Sequence, residues 1–424
     1  MLRPMAVRMR FYATWVCATG LGIGWVAACG SSDGGVADNQ IGTGASTGTG
    51  GSGTGGGSAG GAATGGGGSS GSGGGINLPD ATPPDQDTDK DCIPDVLEAA
   101  GDTDGDGTPD VDDPINDGPA PTISLTAIST TFNEPIGIDY HEPTNSVVLS
   151  VNYPTGTPSG FELIAQDGSH KQFSTLTGLT DEVKIATVRS GNPSGFNAGD
   201  LFVGNGVDGQ IVRISADGNT VDNPWVDLPG TGNGLMRGSL FIDRTTEWGG
   251  DLVAVTTSGE VWRVTSAAVP TKVAAAGVHL EGALVVPNCP ARYGPLAGKL
   301  IAGAEGEGLL HTFAPDGTHM TYNVGVAIED IDLIEPKGNF FGVNYGTKKL
   351  LGTPAKEFES VVGDILLAQE TPVAGETALY RLKWDGSQLV ADKLLATPQS
   401  APQGQWEHVT FAPAGIVEIQ PVPK

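Results

Sequence analysis

Two sets of carboxylates in this chain are spaced for metal chemistry. The first is a ladder written twice, Asp87-Thr-Asp89-Lys-Asp91-Cys92-Ile-Pro-Asp95-Val-Leu-Glu98 and Asp102-Thr-Asp104-Gly105-Asp106-Gly107-Thr-Pro-Asp110-Val-Asp112-Asp113. Counted from each first aspartate, carboxylates fall at positions 1, 3, 5, 9 and 12. Ca²⁺ takes about six to eight hard oxygens, and alternate carboxylates on a turning backbone supply them. The second set opens short apolar segments: Glu134, Glu182, Glu281, Glu329 and Glu407, with Arg237 as the odd member and His279 and His408 alongside. Convergent carboxylates and imidazoles suit metal-assisted hydrolysis, in which a cation polarises a carbonyl and a side chain moves the proton. The same acidic residues could instead accept backbone N–H groups where the segments begin, and their recurrence favours that structural role. Arg237 and the two histidines break the pattern and are the sharper functional candidates.

The elements that must position these groups follow from composition. The chain has 424 residues, 66 glycines and a formal charge of −27. Residues 31–75 are mostly Gly, Ser, Thr and Ala, a tether with a root-mean-square reach of roughly 35–40 Å. Residues 80–117 hold thirteen Asp and Glu98 against the single Lys90. From about Pro119 to Lys424 the chain is long enough for a full core. Scarce Lys and Arg exclude nucleic acid as an electrostatic partner, while metal cations and basic or neutral ligands stay open.

Beyond Pro119 short β-rich runs repeat. Gly, a polar residue and an aliphatic run recur at Gly199-Asp200-Leu201, Gly250-Asp251-Leu252, Gly298-Lys299-Leu300 and Gly363-Asp364-Ile365, at intervals of 51, 48 and 65 residues. Asp-Gly turns at Asp167-Gly168, Asp217-Gly218, Asp316-Gly317 and Asp385-Gly386 keep the same beat. A period near 50 with about four strands per unit predicts an all-β fold, a β-propeller. Six charged-residue segments predict six blades, the last completed by a strand around Ile123 to Thr131. An insertion at Asn344 to Glu357 accounts for the long interval; were it a degenerate blade, there would be seven. In that architecture the six charged positions ring one channel mouth, joined by Asn152, Asn205, Thr257, Glu305 and Glu370. Trp225, Trp248, Trp262, Trp384 and Trp406 are assigned to blade cores, and His311 and His319 to ordinary strand or turn positions.

The first residues read as a targeting segment, with Arg3, Arg8 and Arg10 before the apolar run Phe11 to Val26. Val26-Ala27-Ala28-Cys29 resembles the lipobox of bacterial lipoproteins, which implies cleavage of residues 1–28, lipid on Cys29 and a linker over 29–79. Ordinary signal-peptide cleavage is the alternative. Cys17 then leaves with the signal, so Cys92 and Cys289 remain, and in an exported protein they are expected to pair. Residues 80–118 resemble thrombospondin type-3 repeats. That resemblance implies calcium ligands at Asp87, Asp89, Asp91, Asp95, Glu98, Asp102, Asp104, Asp106, Asp110 and Asp113. Cys92 stands where the second copy has Gly107, an uncomfortable exchange if the turn needs positive φ. Residues 119–424 are broadly similar in repeat shape to gluconolactonase/regucalcin and NHL propellers.

These readings describe a monomeric lipoprotein anchored to the cell envelope, at the outer membrane or cell surface. Its disordered linker and irregular calcium-binding stalk carry a propeller that binds a surface protein, glycan or small ligand. A calcium-dependent lactonase or esterase at the channel mouth is the alternative, with Glu281, Glu329, Glu407, His279, His408 and Arg237 as candidates. A purely structural envelope protein is the third.

Overall fold

A computed structural model describes residues 86–98, 101–115, 118–129, 134–151, 160–165, 168–179, 182–207, 209–230, 239–373, 376–397 and 405–413. The targeting segment, Cys29, the glycine-rich linker and Arg237 lie outside these residues.

The described residues form six four-stranded antiparallel sheets and one two-stranded parallel pair. Their inner strands are Ile138–His141, Ile185–Thr187, Ser239–Ile242, Glu281–Val285, Asp330–Leu333 and Trp406–Pro413. Each touches the next and the last touches the first, so the sheets are the blades of a closed six-bladed β-propeller. All six charged-residue segments of the sequence contain or abut these strands. Small residues are needed there: a Cβ on Gly137 would lie 2.0 Å from the Val183 carbonyl of the neighbouring blade.

The Gly-polar-aliphatic marker opens the second strand of a blade. Its aspartate binds an arginine on the third strand, Asp200 to Arg213 at 2.7 Å, and Asp251 to Arg263 and Asp364 to Arg381 at 2.5 Å. The Asp-Gly turns at 217, 316 and 385 join third to fourth strands. In the blade that lacks one, Ala268 takes φ +59° in the equivalent turn.

The expected insertion at Asn344 to Glu357 is not one. Gly338–Asn344 and Lys349–Thr353 leave the chain between the first and second strands of blade 5 and become the two middle strands of blade 6. Trp406–Pro413 is that blade's inner strand and Thr126–Ser129 its outer one. The long interval is therefore a hairpin donated to the next blade, and three separate chain segments close the ring. Ile123 lies outside the blade, in a parallel pair of Thr122–Ser124 with Leu395–Thr397. Trp248, Trp262 and Trp406 are buried in blade cores.

Between inner strands, buried aspartates accept backbone N–H groups from the neighbouring blade. Asp139 takes Thr187 N at 2.7 Å and its hydroxyl at 2.8 Å, and Asp330 takes Val409 N at 2.8 Å. Asp139→Ala leaves that amide buried and unpartnered, which should cost roughly 2–4 kcal/mol in urea unfolding; a loss below about 1 kcal/mol would show the bond to be dispensable. His141 is fully buried, with Nδ1 2.8 Å from the Thr144 hydroxyl and Nε2 3.1 Å from the Gly199 carbonyl. Burial holds its pKa below the ordinary value of 6.5. The unfolded chain therefore binds a proton that the folded one refuses, and stability falls as pH drops through about 6.5. His141→Gln, less stable throughout, should lose less on acidification from pH 7.5 to 5.5 than the parent does.

Candidate functional site

The two aspartate ladders fold alike, residue for residue. In the first, Asp87 accepts Lys90 N at 2.7 Å and Cys92 N at 3.2 Å, and Asp91 accepts Ile93 N at 2.7 Å. In the second, Asp102 accepts Gly105 N at 2.7 Å and Gly107 N at 3.0 Å, and Asp106 accepts Thr108 N at 2.6 Å. Such bonds fold each loop around its own carboxylates, so that one oxygen from each of Asp87, Asp89 and Asp91 lies within 4.8 Å of the others, as it does for Asp102, Asp104 and Asp106. Cys92 adopts φ +78° where Gly107 adopts +101°, and Lys90 matches Gly105 at +65° and +79°. The first loop thus carries two side chains in backbone conformations that favour glycine.

Asp95 and Asp110 do not join these groups. Each spends both oxygens on a threonine, Asp95 on Thr88 N and Oγ1 at 2.8 and 2.9 Å and Asp110 on Thr103 N and Oγ1 at 2.8 and 2.7 Å. Position 9 thus braces the loop, as position 1 does through both oxygens of Asp87 and Asp102, and each such oxygen keeps a further lone pair. Asp113 accepts Ile115 N at 3.0 Å. Glu98 does belong with the first loop: burial, then repulsion from Asp91 and Asp89, pushes its carboxyl up to about 8. Burial and Asp91 push Asp89 up to about 7. One buried oxygen of each, Asp89 Oδ2 and Glu98 Oε2, has no hydrogen-bond partner. Converging hard oxygens, two of them buried without a donor, fit a calcium ion.

The first loop is docked on the propeller rather than held away from it. Cys92 is disulfide-bonded to Cys289, with their Cα atoms 6.0 Å apart. Arg292, buried, binds Asp91 of the loop and reaches Asp364 of blade 5 at 3.3 Å. Ile93 packs so closely on Gly363 that a Cβ there would lie 2.4 Å from its Cδ1.

At one mouth of the channel, oxygens of Glu182, Glu329 and Glu407 lie within 4.8 Å of one another, and so do oxygens of Glu281, Glu305 and Glu329. Glu329 belongs to both groups. Its Oε1 is bound by Lys184 Nζ, a fully buried cation that residue spacing did not single out. Burial, then repulsion from Glu329, drives Glu281 and Glu407 far above the usual carboxylate range and Glu370 up to about 7. His279 Nε2 lies on the rim, 3.1 Å from Glu281. His408 turns inward instead: it is 3% exposed, its Nε2 has no hydrogen-bond partner, and that atom is 4.0 Å from Glu329 Oε1. Glu134 stands apart in a 3.1 Å pair with Lys348, and Asn205 bonds within its own blade to Gln210 and Asn223 at 3.0 and 2.8 Å.

Below the mouth, a cleft of about 440 Å³ including its open space is lined by Asp139, Lys184, Ser239, Arg244, Asp330 and His408 among others. The opposite end is built from Arg189, stacked 4.3 Å over the Tyr140 ring, and Arg244, 2.8 Å from Glu335. Charge is balanced there by direct ion pairs. At the carboxylate mouth, among the described residues, Lys184 pairs directly with Glu329.

The fold and the paired sites define a six-bladed propeller with an attached acidic double loop. No protein-family model matches the chain, and no curated protein matches it. Among solved structures it is similar to a gluconolactonase from Xanthomonas campestris, at 12% identity over 66% of this chain and 86% of that one, with a TM-score of 0.40. A protein from Bacteroides thetaiotaomicron described as of unknown function gives 13%, 69%, 71% and 0.43. A virginiamycin B lyase from Staphylococcus aureus gives 10%, 61%, 95% and 0.36. Likeness at this level carries no argument about activity.

Calcium added to chelator-treated protein should raise its melting temperature, and terbium luminescence should count the loop sites. Asp104→Asn with Asp106→Asn should remove one loop ion and leave that of the Asp87, Asp89 and Asp91 group, which neither change touches. Unchanged luminescence in that variant would remove the second loop as a site.

Proposed function

We propose that the protein is an exported, envelope-anchored binding module. In this reading Cys29 carries the lipid and the glycine-rich linker spans outward. Calcium orders the two acidic loops and the propeller presents a divalent cation at its carboxylate mouth. The observation that carries the reading is the pair of carboxylate groups sharing Glu329, with Lys184 as the ammonium set among them. Like charges this close cannot all ionise without a further cation. A cation held there keeps coordination positions free on the solvent side, where it would take oxygens of a surface protein, glycan or small ligand.

A second reading, a cation-dependent lactonase or esterase, is favoured by one feature. His279 is 39% exposed on its side chain beside Glu281, so solvent and substrate could reach an imidazole next to the cation position. Such a group can take the proton of a metal-activated water.

Metal analysis of chelated protein reloaded with Ca²⁺ or Mn²⁺ tests the first reading. Glu329→Gln should lose the channel ion and keep the loop ions. Equal metal content in parent and variant would overturn it. A screen of lactones and esters then separates the two readings. Turnover that disappears in both Glu329→Gln and His279→Ala supports the enzyme; metal binding with no turnover supports the binding module.

A further inference from the structure

We propose that Lys184 is a built-in counter-ion that sets the affinity of the channel mouth, weakening the hold of its carboxylates on divalent ions. The inference rests on the reading that this mouth binds a cation, and adds how that binding is tuned.

The segment Glu182-Val183-Lys184 leads into the inner strand of blade 2, and residues two apart on an extended chain share a face. Lys184 therefore follows Glu182 into the channel, where it is 1% exposed and bound to Glu329 Oε1. Glu329 is the one carboxylate common to both groups at the mouth. The ammonium thus engages the carboxylate that both groups share. Its Nζ donates to Glu329, which sets a positive charge among the mouth's carboxylates.

The equivalent positions in the other five segments are Ile136, Ser239, Ala283, Ile331 and Val409. None is charged. A role in blade packing would be met by such small or apolar residues, as it is five times here, and would not call for a buried lysine. The charge has a local purpose. It balances Glu329 when no metal is present, and it repels an arriving ion across a short distance in a site shielded from water, where charges interact strongly. A mouth built this way binds its ion reversibly and keeps its shape when the ion leaves.

The test is a Mn²⁺ titration followed by electron paramagnetic resonance on the full-length protein, its Lys184→Met and Lys184→Arg variants, and each of these carrying Glu329→Gln. The channel ion is the one that Glu329→Gln removes. Lys184→Met, similar in length but neutral, should bind that ion at least tenfold tighter. Lys184→Arg, which keeps the charge, should stay near the parent. Melting curves with and without Mn²⁺ accompany the titration: Lys184→Met should melt lower than the parent without metal and regain more when metal is added. Should Lys184→Met fail to fold, Lys184→Gln carries the same comparison. Unchanged or weaker binding in a folded neutral variant would overturn the role of Lys184 while leaving the cation reading intact. Absence of any ion sensitive to Glu329→Gln, in the parent and in Lys184→Met alike, would overturn both.

Discussion

Acceptance of a backbone N–H by a buried carboxylate on the adjoining inner strand ties blade 1 to blade 2 and blade 5 to blade 6, the blade that closes the ring. Blades of a propeller pack face to face and share no sheet hydrogen bonds, so the crowded centre leaves inner-strand amides facing a neighbour that offers no ladder. Asp139 meets that need for Thr187, Asp330 for Val409 and Asp332 for Phe411. Each bond crosses between blades and fixes their spacing more sharply than apolar packing could. The cost is a channel wall of carboxylates. Burial pushes Asp330 up to about 7 and Asp332 well above the ordinary range, so the amides they accept are needed to hold them.

Closure of the ring adds a second constraint. Blade 6 takes its strands from residues 126–129, 338–353 and 406–413, so it cannot form until both ends of the described propeller and its middle have met. Such closure is built from contacts distant in sequence. It also explains the route of the acidic loops. The chain between them and Thr126 passes blade 5, where Gly118 carbonyl accepts Arg381 Nη1 at 2.6 Å. The Cys92–Cys289 bond and the Arg292 pairs then fix the first loop on the same side. The stalk foreseen between tether and head is in its first half part of the head.

Much of this was legible in the sequence because it is periodic. The charged-residue segments marked all six inner strands, and the Gly-Asp marker found second strands because its aspartate must meet an arginine across the ladder. Blade 6 was misread for the same reason. Gly338-Asn339-Phe340 is a variant of that marker, with Asn339 accepting Ala355 N at 2.9 Å in place of an arginine bridge. It arrives only 25 residues before Gly363, which reads as an insertion unless blades can exchange strands. Lys184 escaped notice because a period-based comparison discounts the one position that departs from it. The inward turn of His408 could not be read at all, since sequence places it beside Glu407 and only the closed ring brings it to Glu329.

A chain with a net charge of −27 must settle its carboxylates somehow, and the ways it does so sort its acidic residues by role. Asp139, Asp330 and Asp332 are met by backbone donors. Asp200, Asp251 and Asp364 are met by arginines of the same blade, and Asp91 by Arg292. In two places, among the described residues, carboxylate oxygens converge: the group of Asp89 and Glu98 in the first loop, and the mouth around Glu329. In both, burial and mutual repulsion drive carboxyls upward instead of spreading them apart. Backbone structure is what holds them together, through loop hydrogen bonds in one case and ring closure in the other. Repulsion maintained by a rigid frame is preorganisation for a positive charge, because the cost of gathering the ligands has already been met in folding. The same reasoning separates the two places. The loops are local and depend on their own hydrogen bonds, whereas the mouth gathers its carboxylates from separate blades and sets Lys184 against Glu329.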